Sequence, residues 1–229
     1  MKKTLSSILS LAVFVGLPLA STSMQVGAQS VNEEIVVTAR QREESITDVP
    51  ASITAFSAET IERANIQRAE DFIALTPGVS MVDSAEVGDT QVSIRGINGA
   101  RDGEANFAFI VDGILHTNPS AFNREFADLQ QIEILKGPQG ALYGRSAASG
   151  AVIVTTNDPT NEFGGEIKAS AGSQDTYFVS GAFSGPLIQD QLFGRIHFDY
   201  RDTDGFFKNR FLGNSKIVDD FENWNINGR

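Results

Sequence analysis

Residues 137–150, Gly-Pro-Gln-Gly-Ala-Leu-Tyr-Gly-Arg-Ser-Ala-Ala-Ser-Gly, are where phosphate chemistry would be sought first. A phosphate loop needs two glycines separated by four residues, then Lys and Ser or Thr. Gly144-Arg145-Ser146 supplies that ending only with Arg in place of Lys, and Gln139 stands where the first glycine belongs. These glycines are better read as tight turns and close backbone approaches. Asp202-Thr203-Asp204-Gly205 suggests a calcium loop, but Tyr200 occupies the first ligand position and Phe211 the closing acidic one. The two histidines, His116 and His197, are far apart and fall on different elements. No Ser/His/Asp set or carboxylate pair has a usable spacing. The sequence therefore predicts a protein that is not an enzyme, with no cofactor and no metal site.

Three charges stand out for a different reason. Arg95, Glu133 and Lys136 lie in otherwise apolar strand-like runs. A buried charge is costly unless paired, so each either anchors a structural contact or marks an exposed sheet edge.

The elements that would position them form an α+β pattern from Asp48 to about Pro159. Ser52–Phe56 reads as a strand. Ser57 is a helix N-cap with Glu59 in the first turn. A second helix, about Ala69 to Leu75, stops at Thr76-Pro77-Gly78. Further strands are read at Gln91–Gly96, Phe107–Gly113, Ile132–Lys136 and Ala151–Thr156, the second apolar on both faces as in a strand covered on both sides. Polar loops at about 81–90, 98–106 and 116–123 separate them. Gln41 to Ser45 reads as a linker.

After Pro159 the period becomes two. Ile167, Tyr177, Val179, Phe183, Ile196, Phe198, Tyr200, Trp224 and Ile226 alternate with polar or small residues over about four strands. An apolar face rich in aromatics opposite a polar face fits either a soluble sandwich or a membrane β-barrel; a secretory signal at the N-terminus and the lack of a second half to pack against favour the barrel. Four strands cannot close one, and an open edge in lipid leaves backbone groups unpaired. Residues 160–229 are thus expected to be the start of a longer, truncated structure.

The N-terminus sets the compartment. Met1-Lys2-Lys3, an apolar run Leu5–Leu17, Pro18 and Val26-Gly27-Ala28 form a cleavable secretory signal over 1–28, too short to span a bilayer. Its removal leaves 16 basic against 29 acidic residues, a balance that excludes nucleic-acid binding. There is no cysteine, so no disulfide framework is available in that oxidising compartment.

The ordered pieces of the chain resemble the TonB-dependent outer-membrane receptors of Gram-negative bacteria. Glu34-Ile35-Val36-Val37-Thr38-Ala39 is similar to the TonB box. Asp48-Val49-Pro50-Ala51-Ser52-Ile53 is similar to the opening of the plug domain. Val92-Ser93-Ile94-Arg95-Gly96 and Phe109-Ile110-Val111-Asp112-Gly113 resemble its inner strands, Ile132–Gly144 its most recognisable segment, and Gly150–Thr156 its closing strand. The closing strand lacks the Asn that the family often carries there.

The resemblance implies a signal peptide (1–28), a TonB box and linker (29–45), a plug (46–159) of small mixed sheet and short helices, and the first antiparallel strands (160–229) of a barrel of about 22 strands. It implies energised uptake of a scarce nutrient such as a ferric siderophore, with TonB, the substrate and outer-membrane lipid as partners. The box is expected to stay unpaired until TonB pairs with it. Arg95, Glu133 and Lys136 are expected to hold the plug, and Arg101, Asp102 and His116 to lie in substrate-facing loops. The competing readings are a free-standing secreted plug-like binding module and a gene fragment without function.

Overall fold

The computed structural model describes residues 35–38, 42–83, 90–99, 103–118, 121–144, 146–205 and 220–229. The expected signal peptide, Glu34, Ala39, Arg101 and Asp102 lie outside these residues.

The inner domain is built on a five-stranded mixed sheet. Its order is β3 (Ser52–Ser57), β8 (Leu129–Lys136), β9 (Gly150–Thr156), β6 (Phe107–Val111), β7 (Ile114–His116). Only β6 and β9 pair in parallel; the other neighbours are antiparallel. Period-two alternation sends Ile132, Ile134, Val152, Val154, Phe107 and Phe109 to one face. Leu135, Ala151, Ile153, Ala108 and Ile110 go to the other. Both faces are apolar, which is why β6 reads as a continuous hydrophobic run.

Helix α1 (Ala58–Arg63) starts at Ser57, whose hydroxyl accepts from the Thr60 N–H at 3.4 Å. Helix α2 (Ala69–Ala74) begins where the Asp71 carboxylate accepts from the Gln67 and Arg68 N–H groups at 2.9 and 2.8 Å. It ends as the Thr76 hydroxyl donates to the Phe72 carbonyl. These helices cover the first face of the sheet through Ile61, Phe72 and Ile73. A separate hairpin, β4 (Val79–Asp83) and β5 (Thr90–Ile94), completes this core through Val92 and Ile94. A short helix, α3 (Gly140–Tyr143), lies in the Gly-rich segment 137–150.

The strands after Pro159 form the expected meander: β10 (Gly164–Gly172), β11 (Thr176–Ile188), β12 (Leu192–Thr203) and β13 (Phe221–Gly228), paired in that order and all antiparallel. Its polarity is inverted relative to a soluble sheet. Phe183, Ile196, Ile226 and Trp224 are exposed, Trp224 at 69%. Ser180, Ser184, His197 and Asp199 are buried against the inner domain.

Several local expectations are corrected. Strands β4 and β7 and helix α3 were not anticipated. His116 is in strand β7 rather than a loop, its ring 5.6 Å from that of Phe109. The reason is the turn before it: Asp112 and Gly113 have φ of 48° and 80°, a two-residue hairpin corner that folds Ile114–His116 back onto β6. Arg95 is exposed, because β5 ends at Ile94 and Arg95-Gly96 makes a second corner with both φ positive. The stretch 41–45 is not wholly linker. Glu44–Ser45 is a strand, β2, paired with β1 (Val36–Val37).

Candidate functional site

Two features of the described structure carry more than packing. The first is the docked N-terminal strand. Val36 pairs with Ser45 and Val37 with Glu44, and the Ile46 N–H donates to the Ile35 carbonyl at 2.9 Å. A two-residue ladder is weak alone. It is held by β8: the Gln131 side-chain amide donates to the Val36 carbonyl at 2.8 Å. The Thr38 N–H donates to both oxygens of Glu133, at 2.9 and 3.1 Å. The Thr38 hydroxyl donates to Glu133 Oε1 at 3.0 Å.

Glu133 is 1% exposed, with Ala55 and Ile153 beside it on the flanking strands. Such a carboxylate needs donors, and Thr38 brings two on one residue. Val37 is buried beneath the hairpin at 1% exposure, while Val36 is 44% exposed. The expectation that this strand stays unpaired is therefore overturned for the state described here, because its own chain satisfies it. Burial, and then the charge of Glu133, push the Tyr143 phenol above its ordinary pKa.

The second feature is the boundary between the inner domain and the meander, where acids face bases. Asp128 takes a bidentate contact from Arg195. Glu125 pairs with Arg201 at 3.1 Å and accepts from Asn223. Glu62 pairs with Lys168 at 3.1 Å. Arg229 meets Asp112 at 3.3 Å and Asp158 at 2.9 Å. The Thr160 N–H donates to the Ser184 hydroxyl. Around these contacts lie two cavities, of about 620 and 720 Å³. Within the meander, Asn225 donates to Asp199, and His197 Nδ1 lies 3.7 Å from the other Asp199 oxygen.

Of the three charges singled out from sequence, Glu133 anchors the docked strand. Lys136 bridges elements, donating to the Thr54 hydroxyl at 3.0 Å and the Pro77 carbonyl at 3.3 Å. Arg95 lies on its turn with its guanidinium close to Gly137. The contacts of Asp128, Glu125 and Arg195 across the boundary with the meander were missed: as single charges beside turns or on an alternating strand, they carry no local signal. Among the described residues, no three His, Asp or Glu side chains converge to hold a metal.

Comparison with known proteins gives the following. Residues 45–151 match the model of the TonB-dependent Receptor Plug Domain. The chain is 26% identical over 199 residues to the pesticin receptor of Yersinia pestis, covering 86% of this chain and 29% of that protein. It is 30% identical over 212 residues to the vitamin B12 transporter BtuB of Photobacterium profundum, covering 90% of this chain and 33% of that protein. The ferric yersiniabactin uptake receptor FyuA of Yersinia pestis superposes with a TM-score of 0.67 at 27% identity, over 73% of this chain and 27% of that one. The chain thus spans about a third of the length of the relatives it matches.

Proposed function

We propose, from the premise that this chain belongs to the TonB-dependent receptors of the Gram-negative outer membrane, that it supplies the plug and first wall strands of a transporter taking up a ferric siderophore. The family transports rather than catalyses. The meander β10–β13 is read as wall lining the plug, and the segment 34–39 as the one that TonB pairs with and pulls.

The observation that carries the reading is the inverted polarity of the wall. Asp199 and His197 are buried while Phe183, Ile196 and Trp224 face outward. In water that arrangement is unfavourable on both faces. Against lipid outside and a polar plug inside, it is favourable on both. The siderophore is favoured as substrate because a structural neighbour at 27% identity is named as a ferric yersiniabactin receptor. The vitamin B12 transporters at similar identity make cobalamin the control substrate.

TonB pairing would be strand addition, with backbone bonds providing affinity. Val36→Pro removes a donor from that ladder. In the full-length protein under iron limitation, Val36→Pro is expected to abolish radioiron-siderophore uptake and leave siderophore binding at the cell surface intact. Normal uptake by that variant overturns the TonB assignment. Uptake of cobalamin but not of iron overturns the substrate class.

A further inference from the structure

We infer that Glu133 is a positioning residue that holds the TonB-pairing strand in a parked, inaccessible state; this rests on the function proposed above and specifies its control. The hydrogen bonds of Thr38 and Gln131 occupy backbone that a partner strand would need. The Thr38 N–H is spent on the Glu133 carboxylate and the Val36 carbonyl on the Gln131 amide. Val37 is buried with them. A strand in this state presents neither a complete ladder nor the Val37 side chain to another protein.

The contact is also reversible by construction. Glu133 sits in the middle of β8, anchored on both sides by β3 and β9, so the carboxylate stays in place when the strand leaves. Departure of Val37 opens the site to water, which replaces the Thr38 donors. The exchange is charged hydrogen bonds to protein for charged hydrogen bonds to water, so the bias is modest in size. That suits a segment that must be released. Thr38 contributes both a backbone and a hydroxyl donor, so the two can be separated by substitution.

The test uses the absence of cysteine from the chain. Val37→Cys in the full-length protein, in outer-membrane preparations, is labelled with a maleimide. Its rate reports undocking of the strand. Replacing Glu133 by Leu is expected to raise that rate tenfold or more, which corresponds to about 1.4 kcal/mol. Glu133→Gln, which keeps an acceptor oxygen, is expected to fall between. Thr38→Val removes only the hydroxyl, cannot disturb the sheet, and is expected to give a smaller rise.

A second reporter, Ala151→Cys, is fully buried in the plug and is expected to stay protected in every background. Equal rises at 37 and 151 would mean that Glu133 merely stabilises the sheet. No rise at 37 in either Glu133→Leu or Thr38→Val would overturn the inference. Capture of purified TonB C-terminal domain separates the two claims. Faster labelling without TonB capture refutes the function and keeps the parked strand. Capture that is equal with and without Glu133 refutes the parking.

Discussion

Asp128 and Arg195 clasp each other across the boundary between the plug and the β10–β13 meander through two parallel hydrogen bonds, Nε to Oδ2 at 2.6 Å and Nη2 to Oδ1 at 2.5 Å. Both side chains are nearly buried, at 8% and 13% exposure. Burial alone would raise the Asp128 carboxyl pKa. The hydrogen bonds from Arg195 and Asn157, with the charge of Arg195, outweigh it and hold the pKa below the ordinary 3.8. A depressed carboxyl pKa stabilises the fold above the unfolded value and loses that stabilisation as pH falls through the folded value.

Thermal unfolding followed down to about pH 3 is therefore expected to show an acid-side loss that Asp128→Asn reduces. At neutral pH, Asp128→Ala leaves Arg195 buried without its partner and is expected to cost about 3–5 kcal/mol. The melting temperature of the plug–wall unit checks both.

Phe122 is the hub of an aromatic cluster, with ring centroids 5.0 Å from Phe107, 5.0 Å from Phe109 and 5.9 Å from Phe72. Phe122→Ala is expected to destabilise the plug by about 3–5 kcal/mol. Denaturant unfolding measures this, and a change under 1 kcal/mol would show that the cluster closes around the gap.

Gly150 begins β9 where it passes β8. A Cβ there would stand 2.2 Å from the Leu135 carbonyl oxygen. The obstacle is backbone, so it cannot rotate away. Gly150→Ala is expected to lower stability by about 1–3 kcal/mol or more through forced strand separation. An unchanged melting curve would contradict the close approach.

Phe183 sits at the middle of β11 on the outward face, half exposed. If that face meets lipid, Phe183→Arg is expected to cost about 2–4 kcal/mol near mid-bilayer and to reduce assembled protein in the outer membrane. Ser184→Ala, one residue on and facing the plug, is expected to leave assembly nearly unchanged. Equal effects of both would remove the lipid assignment.

The alternation in 160–229 was legible because period two is a property of the strand itself. It places Phe183 and Ser184 on opposite faces whatever else the chain does. Likewise Ser57 capped its helix and Phe107–Val111 announced a doubly covered strand, since both signals are local. The turn chemistry at Asp112-Gly113 was also present in the sequence and went unread, which hid β7.

What sequence could not decide were contacts made by distant residues. Phe122 lay in a segment read as loop, and only the folded chain brings it among Phe72, Phe107 and Phe109. Glu133 was recognised as a charge in need of a partner, and a partner it finds is Thr38, 95 residues earlier. The composition of residues 33–40 determines that they are able to pair as a strand. Whether Val36–Thr38 stand free or docked depends on a carboxylate and an amide that tertiary structure alone places beside them.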